Sequence, residues 1–465
     1  MNFDTEKYTV EKIKCKNEVF YYRAFRNILY VQKPVDEKYQ QMNIFALEDY
    51  YNGKTINGYD IHSAPIFMPN YVGGYMPGDL REPGVDKLKA KNGNTILQAL
   101  RRGYIVAVPA IRGRSLKDQN NNFTGKAPAC IVDYKAAVRF VRYFGDKIPG
   151  DCRKIITNGT SAGGALSVLM GSSGNHTDYK PYLEEIGAFD AEDSIFAVSA
   201  YCPITNLDNA DMAYEWQFCG VNDYRSINFH HKHIGFKSMK KTLTAEQIEA
   251  SKQLKGMFVN YVNSLKLKDE NGKALTLKPD GNGSFKDYMK GIIVSSANKA
   301  IDNGETVDKP WLKLENGKVV DVDFDGYVRD ITRMKGVPAF DGFDTGVFEN
   351  DLFGTKTVKC SHFTEFSKAN STVDGMLADK QIIKMMNPMY YIDDSSAVKS
   401  HYWRIRHGEC DRDTSLAISA ILNLKLQEKG LSVDYFSPWN TPHSGDYDLE
   451  DLFNWIDSIC TEENH

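Results

Sequence analysis

The chain has 465 residues, 42% of them hydrophobic and 12% aromatic, with a formal net charge of −4 at pH 7. That length supports a large core and two or three domains, and a charge so close to balance leaves no electrostatic footprint for nucleic acid or an anionic membrane surface. The first twenty residues carry Asp4, Glu6, Lys7, Glu11, Lys12, Lys14 and Lys16, which excludes the apolar core of a secretory signal, and no stretch approaches the ~18 apolar residues of a membrane span.

In chain order, Val19 to Val31 and Met42 to Leu47 read as two strands that pair antiparallel at the opening of a sheet. Ala64 to Met68 is a continuous apolar run of the kind shown by a strand buried on both faces, and it ends in Pro69-Asn70-Tyr71-Val72-Gly73-Gly74. A helix is expected from Thr95 to Arg102, closed by Gly103, then a strand from Tyr104 to Ala110. A second helix runs from Ala129 to Phe144, with Ile131, Tyr134, Val138, Val141 and Phe144 on one stripe.

Lys154 to Gly164, KIITNGTSAGG, follows. A β-branched run meets Gly159-Thr160-Ser161-Ala162-Gly163, and a small-residue apolar segment from Ala165 to Leu169 comes next. This is the strand, sharp turn and helix of a G-x-S-x-G nucleophile elbow, in which a serine stands exposed at the top of an α/β-hydrolase sheet. Ser161 is the one serine with glycine two positions before and two after it. The competing reading is an ordinary glycine turn. An elbow needs two backbone N–H donors for the tetrahedral oxyanion. Ala162 supplies one, and Gly73 and Gly74 are the candidates for the other, against the alternative of an unremarkable turn.

After a buried strand from Ile195 to Cys202, the alternation of strand and helix stops at Pro203. Two amphipathic helices follow. The first is capped by Thr244 with Gln247 and carries Leu254, Met257, Phe258, Tyr261, Val262 and Leu265 on one face; the second opens near Ser284. Residues 205–390 are expected to form an inserted, mainly helical lid between two parts of one α/β unit, 1–204 and 391–465, with an independent second domain as the alternative. Alternation resumes at Tyr402-Trp403-Arg404-Ile405-Arg406, with a helix from Ser415 to Gln427, a strand from Val433 to Phe436 and a final helix holding Leu452, Phe453 and Ile456. The predicted fold class is therefore an α/β-hydrolase, a mostly parallel sheet flanked by helices.

In that fold the triad follows the order serine, acid, histidine, with the last two on loops after later strands. Asp411 and His443 occupy those loops. Asp413 competes as the acid or serves as a helix N-cap, and His407 competes as the base or is a packed strand-end histidine. The cluster His230-His231-Lys232-His233 looks metal-binding but lacks nearby Cys or carboxylate spacing, and a solvated charged segment is the simpler reading. The eight cysteines are scattered with no C-x-x-C pair, which points to free thiols in a reducing, cytoplasmic setting.

The segments GTSAGG, PNYVGGY, AYCPITNLDNADMAYEWQF (Ala200 to Phe218), RMKGVPAFD (Arg333 to Asp341), RIRHG (Arg404 to Gly408) and PHSGDYDLEDLF (from Pro442) together resemble the bacterial tannases, the tannin acyl hydrolases, over essentially the full length. The resemblance implies a lidded α/β-hydrolase that cleaves galloyl esters to gallic acid and an alcohol, with no cofactor or metal, acting on a small-molecule substrate and expected to be a monomer. It places the triad on Ser161, Asp411 and His443. It also puts contacts to the galloyl hydroxyls on Lys335, Glu349 and Asp413, while Ile204 and Gly73 fall beside the substrate. A related carboxylesterase for feruloyl esters, or an inactive binding module on the same fold, are the alternatives.

Overall fold

The computed structural model describes residues 2–15, 18–85, 93–228 and 237–462. Its strands are β1 (Thr9–Cys15), β2 (Glu18–Leu29), β3 (Gln41–Leu47), β4 (Pro65–Pro69), β5 (Ile105–Pro109), β6 (Asp151–Thr160), β7 (Ala197–Tyr201), β8 (Asp223–Asn228), β9 (Lys237–Thr242), β10 (Leu312–Glu315), β11 (Lys318–Val322), β12 (Tyr402–Arg406) and β13 (Ser432–Phe436). Among the described residues nine of them form one sheet, in the order β1-β2-β3-β5-β4-β6-β7-β12-β13. The first three are antiparallel, β3 meets β5 antiparallel, and every pairing from β5 to β13 is parallel.

The central strands are apolar because both faces are covered. Ile66, Phe67, Met68, Val106, Ala107, Ile155, Ile156, Ala197, Val198 and Ile405 are all buried, under helices such as Ala129–Tyr143, Ala162–Ser172 and Leu416–Glu428. β1 has no counterpart in the sequence prediction. It carries Glu11, Lys12 and Lys14 and is little buried before Cys15, so no apolar face marks it, and its pairing with β2 is what makes it a strand.

Between the adjacent strands β7 and β12 the chain runs through 200 residues, 202–401. This segment holds the helices Leu207–Phe218, Ala245–Ser264 and Ser284–Asp302 and two hairpins, β8-β9 and β10-β11, each a sheet of its own. Thr244 and Gln247 form the expected capping box. Trp216 gathers Phe258, Phe285 and Phe324 around it at ring separations of 5.4 to 5.6 Å. These aromatic residues belong to one continuous apolar cluster that also contains the strands of the main sheet, so insertion and sheet share a core. The hairpins are unpredicted because their outer faces are solvated, as Leu314 and Val320 show. The His230 to His233 cluster lies outside the described residues. Among the described residues no helix is long and apolar enough to cross a membrane.

Candidate active site

The parallel strands end on one side of the sheet, and the chemistry-bearing residues leave from those ends: Gly73 and Gly74 after β4, Ser161 after β6, Cys202 and Ile204 after β7, Asp411 and Asp413 after β12, and His443 after β13. The order β5-β4-β6 reverses the direction of strand progression at β4, the kind of switch point where open α/β sheets form a crevice.

Ser161 has φ 60° and ψ −122°, a region that costs a non-glycine residue ~1–3 kcal/mol. Its N–H donates to the Tyr201 carbonyl at 2.9 Å, and its own carbonyl accepts from Ala165 at 2.9 Å and from Ile204 at 3.3 Å. The glycines are required by space: a Cβ on Gly159 would collide with the Gly163 carbonyl, and one on Gly163 would press into the Asn70 side chain. Asn70 ties the loop after β4 to the elbow, its amide donating to the carbonyls of Gly163 (2.9 Å) and Asn158 (3.2 Å) and to Ser167 Oγ (3.2 Å). Ala162 opens the helix behind the serine, where first-turn N–H groups have no intrahelical partner. Gly74 has φ 53°, which favours glycine, whereas a side chain at Gly73 would meet open space. A recess of about 240 Å³ lined by Gly73, Tyr71, Thr160, Asp446 and Ser161 reaches the nucleophile.

Asp411 is buried, and its Oδ2 lies 2.7 Å from His443 Nδ1. Its other oxygen accepts the N–H groups of Asp413 (2.8 Å) and Thr414 (3.4 Å). Burial alone would raise this carboxyl, but the His443 and His407 imidazoles and the hydrogen bonds outweigh it and bring the pKa down to about 2. For His443 burial disfavours the cation, yet the Asp411 carboxylate overrides it and holds the imidazole well above its usual pKa. Cys202, also buried, is raised by desolvation; a neutral thiol adds no charge to this balance. With Asp411 on Nδ1, the neutral ring keeps its proton there and presents Nε2 as the acceptor.

The loop bearing His443 is fastened at several points. Asp446 accepts from Thr95 Oγ1 (2.6 Å) and Asn158 Nδ2 (3.0 Å), Asp448 accepts from Tyr201 Oη (2.6 Å) and pairs with Arg404, and Gly445 lies so close to Thr160 that a side chain there would collide with its hydroxyl. His407 is fully buried, with Nδ1 2.8 Å from Ser419 Oγ, and its pKa is lowered by desolvation. That suits a packed histidine. Asp413 is not the cap of the following helix, because Ser415 fills that place and accepts from Ala417 N.

Asp413 Oδ1 instead lies 3.1 Å from Lys335 Nζ and 4.0 Å from His443 Nε2. Lys335 sits 3.9 Å over the Phe340 ring. Burial would lower the lysine, but Asp413 and Glu349 raise it, so it stays cationic. Glu349, on the short helix Phe348–Leu352, is buried and raised by desolvation, partly offset by Lys335. The same helix carries Asp351, which pairs with Arg114 and Lys126, and Arg114 Nε donates to the Gly74 carbonyl at 2.8 Å. Arg114 therefore joins the Glu349 helix to the candidate oxyanion loop.

Lys335 is held from below by a fully buried pair, Arg333 with Glu215, whose Nη2 to Oε1 distance is 2.5 Å. Arg333 Nε also donates to the Lys335 carbonyl at 2.9 Å, and Tyr214 Oη accepts from the N–H groups of Met334 and Lys335. Sequence reasoning missed Asn70, Arg114, Cys202, Glu215 and Arg333. Asn70, Cys202, Glu215 and Arg333 lie inside segments already singled out, but nothing local in the chain distinguishes them; their partners, like those of Arg114, are brought together only by the fold.

The chain can thus present a strained serine, an ionised aspartate behind an imidazole and, alongside, a lysine between two carboxyls. The BD-FAE family model matches residues 73–257, and no curated protein matches by sequence. Three similar solved structures cover the chain nearly end to end. A tannase of Fusobacterium nucleatum is 49% identical over 98% of this chain and 99% of its own, with a TM-score of 0.95. The tannase of Lactobacillus plantarum is 45% identical over 98% and 99%, with a TM-score of 0.95, and a tannin acyl hydrolase in complex with ethyl gallate is 46% identical over 98% of each chain, with a TM-score of 0.93. By that identity and coverage, the chain belongs to the bacterial tannases, carboxylic ester hydrolases of the α/β-hydrolase fold.

Proposed function

We propose that the protein hydrolyses galloyl esters through Ser161, His443 and Asp411. His443 Nε2 takes the Ser161 hydroxyl proton as the oxygen attacks the ester carbonyl, and Asp411 fixes the tautomer and stabilises the imidazolium. The N–H groups of Ala162 and Gly74 receive the oxyanion. Collapse of the tetrahedral intermediate breaks the C–O bond to the alcohol, which leaves with the proton from His443. Water then attacks the acyl-Ser161 by the same steps in reverse order and releases the acid.

The acyl ring is read by Lys335, Glu349 and Asp413, with Ile204 and Gly73 along the apolar and backbone walls. The observation that carries this reading is the position of Asp413, 3.1 Å from Lys335 and 4.0 Å from the imidazole, which joins a donor and acceptors for ring hydroxyls directly to the catalytic histidine. A relative of 46% identity was crystallised with ethyl gallate. A site built to pair substrate hydroxyls can reject an analogue lacking them by up to about 10⁴–10⁵. Residues 205–390 act as the lid that carries Lys335 and Glu349 over the rim of the sheet.

Steady-state hydrolysis of methyl gallate, methyl ferulate and methyl benzoate in parallel, with Ser161→Ala as the blank, tests the proposal. A strong preference for gallate is expected. Equal or faster turnover of ferulate or benzoate would leave a general carboxylesterase and remove the three polar residues from substrate recognition.

A further inference from the structure

We propose that the recess beside Ser161 receives the alcohol half of the ester and selects alcohols that carry further hydroxyl groups, which are read by Tyr71 as donor and Asp446 as acceptor; this rests on the proposed assignment of Lys335, Glu349 and Asp413 to the acyl ring. An ester held at a serine nucleophile has two arms on its carbonyl carbon, and the site must take both. The recess has a volume of about 240 Å³, and Tyr71, Gly73, Thr160, Ser161 and Asp446 are among its walls. Of the described residues that line it, none is Lys335, Glu349 or Asp413. With the acyl side it shares Gly73 and the nucleophile, so it is open to the arm that the acyl side leaves over.

The walls converge from three stretches of chain. Tyr71 and Gly73 belong to the loop after β4, Thr160 and Ser161 to the elbow, and Asp446 to the loop after β13 that also carries His443. The leaving alcohol takes its proton from that histidine, so its arm lies beside the same loop.

Asp446 is partly exposed and held in place by groups of the scaffold. One of its oxygens accepts from Thr95 Oγ1 at 2.6 Å and the other from Asn158 Nδ2 at 3.0 Å. A carboxylate oxygen can accept twice, so both keep a lone pair for a hydroxyl. Tyr71 has the Arg81 guanidinium 4.5 Å from its ring centroid, which covers one face of the ring. Burial raises its phenol pKa, and the Asp446 charge raises it further, so Tyr71 stays a neutral O–H donor in the field of that carboxylate. A hydroxyl both donates and accepts, and this pair offers one partner of each kind. An alkyl arm would displace water from both groups and pair with neither, which is how a polar site rejects the analogue that lacks the hydroxyl.

The test compares gallates of two isosteric primary alcohols, 2,3-dihydroxypropyl gallate and 2-methylbutyl gallate, with Ser161→Ala as the blank. The parent should favour the dihydroxypropyl ester at least about tenfold in kcat/KM. Tyr71→Phe keeps the ring and removes one neutral hydrogen bond, and should lower that preference about threefold to tenfold. Asp446→Asn removes a charged acceptor and should lower it about tenfold or more. Taking the ratio within each variant cancels general damage to the His443 loop, which would slow both esters together. The proposal is overturned if the parent shows no preference, or if the preference is unchanged in either variant, since that residue would then serve only to fasten its loop. The same two alcohols presented as benzoates separate this result from the acyl reading. An enzyme that turned over benzoates as fast as gallates, yet kept the dihydroxypropyl preference, would overturn the galloyl assignment and leave the alcohol site standing.

Discussion

At the rim of the sheet Ser161 is fixed by the backbone: a left-handed φ, three main-chain hydrogen bonds and glycines packed against neighbouring carbonyls. In the insertion Lys335 is fixed by side chains far apart in the chain, above all the buried Arg333–Glu215 pair 118 residues apart in sequence. Two carboxylates two residues apart face the two regions. Asp411 turns to the histidine of the rim and Asp413 to the lysine of the insertion. On the proposed mechanism catalysis and recognition are therefore separable although they share one loop, and substitutions should divide accordingly.

The largest effect belongs to the rim. Ser161→Ala should lower turnover of every ester by about 10⁵-fold or more, the scale found when a triad nucleophile is removed, and remove labelling by a fluorophosphonate; residual labelling of that variant would place the nucleophile elsewhere. Asp411→Asn should follow, with about a 10⁴-fold loss in kcat through the wrong tautomer. Its pH profile also has a sign. His443 must be neutral to accept the proton, and Asp411 raises its pKa, so the rate of the parent falls as pH drops through that raised value. Removing the carboxylate lowers the histidine pKa and moves the acid limb to lower pH. An unmoved limb in Asp411→Asn would mean that a different group sets it.

The insertion should respond selectively. Lys335→Ala should reduce kcat/KM for methyl gallate by about 10²–10³, since it leaves the ring hydroxyls and the Asp413 carboxylate without their donor and the buried Glu349 without its nearby cation. Methyl benzoate should change by less than about threefold, because it places no hydroxyl there to lose. Arg333→Met breaks the pair beneath Lys335 and strands Glu215 in the core, at a cost of about 3–5 kcal/mol of stability. Urea unfolding measures that loss, and an accompanying fall in gallate preference at temperatures where the variant stays folded would show that the pair positions Lys335.

The same division explains what could be learned from the sequence. The elbow, Asp411 and His443 were legible because each follows an apolar strand whose pattern is local, and the capping box at Thr244 and Gln247 likewise announces itself within four residues. Lys335 and Glu349 carry no such signal. Glu349 sits on a five-residue helix too short for periodicity, and both drew attention only through the resemblance to tannases. Cys202 went unnoticed because a cysteine at a strand end is ordinary, and only the fold brings it beside His443. β1 was missed for the opposite reason, since its charged residues hide a strand whose existence depends on β2.

The most direct measurement of this separation is the ratio of kcat/KM for methyl gallate to that for methyl benzoate, taken in the parent, in Lys335→Ala and in Asp411→Asn. The account predicts that Asp411→Asn lowers both substrates together and keeps the ratio within about threefold, whereas Lys335→Ala lowers the ratio about a hundredfold or more. A ratio that collapses in Asp411→Asn, or stays level in Lys335→Ala, would contradict it.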